Sequence, residues 1–338
     1  MKILGIESSC DETAASIIEE SPDKKKVILL SNVVASSLSL HAKTGGVIPE
    51  TAAREQLKYI LPVIEKSTKD FKIDKIAVTI GPGLIGSLLV GTETAKTLSY
   101  VWGKPIIPVN HLLGHIYANF IDDKKHFFTA PKFPAIVLIV SGGHTDLLLM
   151  KSHSNIKWLG GTRDDAAGEA FDKTARLLNL PYPGGPSIEN AAKNGDVNKI
   201  KFPRPMINSK NFDFSFSGLK TAVFIEAKKY KKLNKEIVNA LAASTQEAII
   251  DVLISKTLKA CKKFNVKSII LSGGVAANQK LREEFTSKIK NLKLKIKLHA
   301  PPKYLCTDNA AMIAAAGFFQ QKELHWKNIN VNPNLYFD

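Results

Sequence analysis

The sequence predicts an α/β protein made of two halves that share a β-β-β-α plan. Three observations carry that expectation. Residues 2–20 read as strand, polar turn and strand, and residues 135–150 repeat the arrangement. Buried-looking strand runs enter Gly-Gly turns at 142–143 and 273–274. Strand runs then alternate with helical periodicity, in a duplicated unit rather than a dinucleotide-binding array. At 338 residues, 44% hydrophobic and 23% charged, the chain is long enough for two domains with cores of their own.

In order, Lys2–Glu7 is a strand. Ser8, Ser9, Asp11, Glu12 and Thr13 make a polar turn, and Ala14–Ile18 returns as a second strand. Amides and hydroxyls of such a turn can cradle a phosphate, and its carboxylates can hold a cation. An ordinary solvated turn uses the same residue types. A charged tip at 21–26 leads into a third strand, and Glu50 to about Lys66 shows helical periodicity. Ile76–Ile80 is a short strand run. Gly81–Ser87 lacks both the lysine of a phosphate-binding loop and the spacing of Gly-x-Gly-x-x-Gly, so its glycines point to a tight turn.

Asn110 is a candidate N-cap for a helix carrying His111 and His115. Residues four apart share a helix face, with Cβ atoms about 6 Å apart, so two such imidazoles can hold one metal ion. They can equally be ordinary helix residues, and the spacing alone admits both. Lys124–Pro134 is a basic connector and a candidate boundary.

Ala135–Val140 enters the Ser141-Gly142-Gly143-His144-Thr145 turn. Asp165, Glu169 and Asp172 follow at i, i+4, i+7 spacing on one expected helix face. Pro183–Pro186 is expected to close that helix. Residues 211–222 alternate aromatic and polar, as in a half-buried strand or bulged loop. Lys228–Lys232 sets a tyrosine among lysines that can touch RNA backbone or simply face water, and Lys235–Phe264 is a long helix. Ser268–Leu271 is a buried strand whose Gly-Gly turn, with Asn278 in the first turn of the next helix, suits a nucleoside at a helix N-terminus. Asp308 fits an N-cap.

The formal charge of +16 favours a polyanionic partner, nucleic acid first, since no amphipathic anchor is visible; a lysine-rich genome would produce the same excess. Cys10, Cys261 and Cys306 are too few and too scattered for a disulfide framework or a zinc ribbon, and reduced thiols are expected. Neither a leader nor an uncharged run of about 18–20 residues is visible, so a cytoplasmic protein with no membrane partner is expected.

Taken singly these motifs decide nothing; their order does. Leu4–Ala14, His111-x-x-x-His115, Val140–Thr145, Gly168–Lys173, Pro183–Pro186, Phe216–Lys220, Ser272–Asn278 and Thr307–Asn309 together resemble the TsaD family, bacterial tRNA threonylcarbamoyl-adenosine transferases. The resemblance spans nearly the whole chain. It implies two RNase-H-like halves of the actin/chaperone/sugar-kinase-like superfamily around a nucleotide cleft, one formed by 1–110 with 305–338 and the other by 111–304. It also implies that turn 8–13 and Ile139, Val140, Ser141, Gly142 and Gly143 face phosphate, and that Asp172, Gly185 and Asn278 bind ribose and base. His111, His115 and Asp308 become ligands to one divalent metal per subunit, iron(II) ahead of zinc, although the ligand set suits both.

One departure stands out. Many members carry a histidine two residues after the arginine of the Pro-Glu…Arg segment, where this chain has Gln56.

The implied reaction moves a threonylcarbamoyl group from threonylcarbamoyl-AMP to N6 of adenosine 37 in tRNAs reading ANN codons. Asp11 or Glu12 would receive the amine proton. The implied partners are tRNA, a TsaB-like paralogue and a TsaE-like ATPase. Other readings are an ATP-binding regulator or small-molecule kinase of the same superfamily, a non-catalytic scaffold, and a metalloprotease. The last lacks the glutamate that such helices place beside the first histidine, because Leu112 stands there.

Overall fold

Strand β1 (Lys2–Glu7) is apolar between its charged end residues and lies at the centre of the first sheet in the computed structural model, which describes residues 1–337. It pairs antiparallel with β2 (Glu12–Glu20), Glu7 opposite Ala14, so the polar turn between them closes at one end of the sheet. β2 pairs antiparallel with β3 (Val27–Ser36), with a bulge at Ile17–Ile18. Helices α1 (Leu38–Thr44) and α2 (Pro49–Thr68) follow, the latter with proline at its first position, where the missing N–H costs nothing.

β4 (Lys75–Gly81) adds parallel to β1. α3 (Ile85–Trp102) crosses back and stops at Gly103 in the left-handed conformation, and β5 (Ile106–Asn110) adds parallel to β4. α4 (His111–Tyr117) starts directly off β5, and the two-residue β6 (Ile121–Asp122) pairs with β3. The sheet order is β5-β4-β1-β2-β3-β6.

The second unit repeats the plan. β7 (Ala135–Val140), β8 (Thr145–Ser152) and β9 (Asn155–Gly161) form an antiparallel meander, and helices α5 (Ala167–Leu177), α6 (Gly184–Ala192), α7 (Ser217–Lys228) and α8 (Lys235–Phe264) come next. β10 (Ser268–Ser272), α9 (Gln279–Asn291) and β11 (Lys297–His299) complete the order β11-β10-β7-β8-β9, with β10 parallel to both neighbours. Three antiparallel strands with two parallel ones appended beside the first is the arrangement of both sheets, so the expected duplication is present. α8 is long and apolar enough by length and composition to cross a membrane, but 78% of its apolar window is buried inside the protein. It is the core helix of this unit.

α10 (Ala310–Gln320) returns to the first unit, which comprises Met1–Ala130 with Pro301–Asp338; the second is Pro131–Ala300. The expected junction at 110/111 is therefore displaced. α4 packs on α10 and β6 pairs with β3, which ties 111–130 to the first sheet, and the division falls inside the 124–134 connector. Alanines and one glycine make up most of α10, and the helix is almost wholly buried. Gly5 lets it lie directly on β1: a Cβ there would stand 2.1 Å from the Ala310 carbonyl oxygen.

Local expectations changed too. Residues 217–222 are the start of α7 rather than strand. Asp164 draws that turn in by accepting from Ser215 Oγ, the Phe216 and Ser217 amides and Ser217 Oγ. Pro183–Pro186 opens α6 instead of closing α5. Asp165 precedes α5 and is joined to Glu169 through Lys173, at 2.6 and 2.8 Å.

Candidate metal centre and glycine turns

The β5–α4 junction places the two histidines. Asn110 caps α4 by accepting from the Leu112 amide at 2.8 Å, so the helix begins on His111 and the ring of His115 comes to lie one turn along. The rings meet edge to face, with centroids 4.7 Å apart. Gly114 lets α4 close on α10, since a Cβ there would lie 2.7 Å from Ile313 Cδ1.

The cap of α10 is Asn309, whose Oδ1 accepts from the Met312 amide at 3.1 Å. Asp308 is thus not the cap expected from sequence. Its Oδ1 instead stands 3.5 Å from His111 Nε2 and 3.3 Å from His115 Nε2. One donor atom from each of the three residues falls within 4.8 Å of the others, a group able to hold a metal ion.

Glu7 sits behind His111 and is fully buried. One carboxylate oxygen lies 3.2 Å from His111 Nδ1 and accepts from Thr79 Oγ1 at 2.6 Å; the other accepts from the Ser9 amide at 2.5 Å. Ser9 Oγ also lies 3.1 Å from His111 Nδ1. The carboxylate requires a proton on Nδ1, which leaves the Nε2 lone pair aimed at the Asp308 carboxylate. Acceptor facing acceptor needs a cation between them.

Without a metal a proton fills that role. Burial opposes charging His111, but Asp308 and Glu7 outweigh it and hold its pKa up to about 9. Burial likewise opposes the charge on Glu7, and His111 brings its pKa below the usual carboxylate range. His115 Nδ1 is buried with no hydrogen-bond partner among the described residues. Two imidazoles, a carboxylate and a carboxylate-oriented tautomer fit a divalent ion. Leu112 is fully buried, and α4 offers no general base beside His111.

The 8–12 turn is gripped from α2. The Gln56 amide nitrogen donates to the carbonyls of Ser8, Cys10 and Glu12 at 3.1, 2.9 and 3.2 Å. Burial first, then the charges of Asp308 and Asp11, push Glu12 well above the usual carboxylate range, so in this form it keeps its proton. Burial also raises the Cys10 thiol, with Asp11 and Asp308 adding to the effect, which makes it a poor nucleophile. Asp11 and Glu12 are both partly exposed.

In the second unit the 141–144 turn closes through the Ser141 amide to His144 oxygen (2.9 Å) and the His144 amide to Ser141 Oγ (3.1 Å). Gly142, Gly143, Gly185 and Gly274 face open space where a Cβ would meet nothing within 4 Å. Ile139 and Val140 are fully buried within β7, so only Ser141, Gly142 and Gly143 of that expected group reach the surface. Asp172 accepts from the Gly184 amide at 2.7 Å at the start of α6, and burial raises its pKa. Asn278 is the cap of α9: its Oδ1 accepts from the Leu281 amide and its Nδ2 donates to Gln246, both at 2.9 Å. These bonds hold the turn and use one of the two amide hydrogens and one of the two oxygen lone pairs of the side chain. Sequence reasoning missed Glu7 and Thr79, although a carboxylate ending an otherwise apolar strand was the available signal.

A profile of the TsaD family, described as tRNA N6-adenosine threonylcarbamoyltransferase, matches residues 28–315. The chain belongs to the TsaD family. Proteins of that description from Thermosipho africanus and Persephonella marina are 50% and 49% identical to it. The first comparison covers 99% of this chain and 98% of the relative, the second 96% and 91%. The relative from Geobacillus kaustophilus is 46% identical over 98% of this chain and 96% of its own length.

The crystal structure of full-length HypF in its phosphate- and nucleotide-bound form superimposes with a TM-score of 0.58 at 12% identity, covering 94% of this chain and 55% of that one. HypF from T. kodakarensis gives 0.59 at 14% identity, covering 95% and 47%. Here the TsaD-family chain spans about half of a longer protein, and the likeness is one of fold.

Proposed function

We propose that this chain transfers the threonylcarbamoyl group of threonylcarbamoyl-AMP to N6 of adenosine 37 in tRNAs reading ANN codons and releases AMP. Membership of the TsaD family supports the tRNA and the transfer. The observation that carries the chemistry is the acceptor-to-acceptor meeting of His111 and Asp308, with Glu7 fixing the His111 tautomer and His115 Nε2 beside the same carboxylate oxygen. These three residues would hold one divalent ion, iron(II) ahead of zinc, which when bound supplies Lewis acidity toward the carbamoyl carbonyl.

In the reaction the exocyclic amine forms the new C–N bond at the carbamoyl carbon, and the C–O bond to the phosphate breaks. The phosphate leaves as AMP with the electron pair, and the amine loses a proton. Asp11 is our choice to receive that proton, because Glu12 holds its own. Amides of the Ser141–Gly143 turn would donate to the phosphate, with Gly142 and Gly143 leaving room for it to approach. Asp172, Gly185 and Asn278 would shape the nucleoside site. Asp172 and Asn278 act there by fixing the α6 and α9 starts.

A TsaB-like paralogue and a TsaE-like ATPase are the proposed partners, and the cytoplasm the proposed location. Leu57 and Leu61 on α2, with Ile85 and Leu89 on α3, are exposed apolar residues on two helices that pack together, and they suit a paralogue with the same helix pair. The test is an assay with tRNA and threonylcarbamoyl-AMP beside metal analysis of anaerobically purified protein. His111→Ala is expected to lose both the metal and the activity. Full activity in a metal-free His111→Ala protein removes the metal from the mechanism.

A further inference from the structure

We infer that the second unit, Pro131–Ala300, supplies the main phosphate-binding surface for the tRNA, centred where α8 and α9 end and β10 and β11 begin. The inference rests on tRNA being the substrate and adds which surface meets it.

The charge of the chain is divided very unevenly. The second unit has 29 lysines and arginines against 14 aspartates and glutamates, a net +15; the first has 18 against 17, a net +1. The two units are of nearly equal length and come from one gene, so a genome-wide bias toward lysine would raise both alike. It has not. Something acts on the second unit alone, and a polyanionic partner is the physical agent that rewards such an excess.

Within that unit the fold collects lysines at one end. Helices α8 and α9 run back against the parallel strands that follow them, so their C-termini and the starts of β10 and β11 share an end of the sheet. Backbone bonds hold the neighbours together there: the Lys297 amide donates to the Lys267 carbonyl at 3.1 Å, and the Lys267 amide to the Pro134 carbonyl at 2.8 Å. Lys262, Lys263, Lys267, Lys288, Lys290, Lys293, Lys295 and Lys297 are all exposed on these segments. From Phe285 to Ala300 there is no acidic residue.

Helix C-termini attract lysines, and an edge strand such as β11 is guarded by them, but each effect calls for a residue or two. Neither accounts for five lysines, and no acidic residue, between Phe285 and Ala300. Elsewhere in the same unit acidic residues are interspersed with the basic ones, as Glu247 and Asp251 are with Arg204 and Asp165 and Glu169 with Lys173. The surface also spans more than one element, as a duplex backbone requires.

The experiment measures binding of a fluorescently labelled, unmodified tRNA transcript to the full chain by anisotropy across a series of KCl concentrations. Lys288→Ala, Lys290→Ala, Lys293→Ala and Lys295→Ala are combined in one variant. A second variant combines Lys262→Ala, Lys263→Ala and Lys267→Ala. The control removes four exposed charges from the first unit: Lys25→Ala, Lys72→Ala, Lys124→Ala and Lys125→Ala. Each lost phosphate contact lowers the slope of log affinity against log salt by roughly 0.7–0.9. The first variant should therefore lose at least about tenfold in affinity near 0.1 M salt and roughly three in slope, the second nearly as much, and the control less than about threefold.

Equal losses in the control and either second-unit variant, or no loss in both second-unit variants, overturn the assignment while leaving tRNA as substrate. A wild-type chain that binds no tRNA at low salt removes that reading and this one with it. Unchanged thermal melts certify that the variants are folded.

Discussion

Replacing Glu7 by glutamine tests the metal centre without touching a proposed ligand. Three donors converge on this fully buried carboxylate: the Ser9 amide on one oxygen, and Thr79 Oγ1 with His111 Nδ1 on the other. A carboxamide keeps the shape but offers one oxygen and one NH2 group. Whichever way it is turned, one position sets donor against donor. If the NH2 faces His111, the ring must shift its proton to Nε2, the atom proposed to bind the ion. If it faces the Ser9 amide, the turn that carries Asp11 is disturbed instead.

A buried donor left without an acceptor costs about 1–3 kcal/mol, and loss of a partner behind a ligating histidine typically weakens metal binding 10–100-fold. The expected result for Glu7→Gln is thus a 10–100-fold weaker dissociation constant, about 1.4–2.7 kcal/mol. It is read by competition between the apo-protein and a chromophoric chelator, which needs no turnover. Thr79→Val removes a single donor and leaves the carboxylate, so it should lose less than tenfold. Wild-type affinity in folded Glu7→Gln, with His115→Ala abolishing binding, would refute the orienting role and keep the ligand set.

Other expectations concern the frame that holds the site. Asp123 accepts from Tyr304 Oη and His126 Nδ1 at 2.7 Å and from the Lys125 and His126 amides, which ties the two segments of the first unit together. Burial opposes its charge, but these bonds prevail and bring the pKa from 3.8 to about 2. A depressed carboxylate stabilises the fold above its unfolded pKa. That stability, about 2 kcal/mol at 1.36 per unit, is lost as pH falls from near 4 through about 2. Urea unfolding at pH 7 should show Asp123→Asn about 2 kcal/mol less stable than wild type, and the gap should narrow over that window; a gap independent of pH sinks the account.

Gln56→Leu strips the amide donor that three turn carbonyls share and should cost about 2–3 kcal/mol in thermal or urea melts, whereas Gln56→His, which keeps a ring N–H donor, should cost less. Gly5→Ala drives a Cβ into the Ala310 carbonyl and should cost at least about 2 kcal/mol. Gly142→Ala, over open space, should leave the melting temperature unmoved while weakening AMP binding in calorimetry.

What could be read from sequence follows from how local the cause is. The α8 boundaries, the capping of α4 by Asn110 and the strand–turn–strand units are set by periodicity and by residues within a turn of one another, and the structure has them where expected. Where two neighbouring residues compete for one role, pattern alone cannot choose. Asp308 and Asn309 are both good N-caps, and the choice falls to Asn309 because only then does the carboxylate face the two histidines. Asp308 and Glu7 are drawn to His111 by contacts nearly two hundred and about one hundred residues distant, and no helical or strand period encodes such distances.

The same holds for the glycines. Gly5 and Gly114 look like interruptions in a strand and a helix until α10 arrives against both. Their effect is to let a buried alanine-rich helix begin within reach of α4, so that its first residues meet the β5–α4 junction. The histidine pair is legible as a pair. That it has a third member follows from the packing of α10 on β1, which the local sequence of neither element specifies alone.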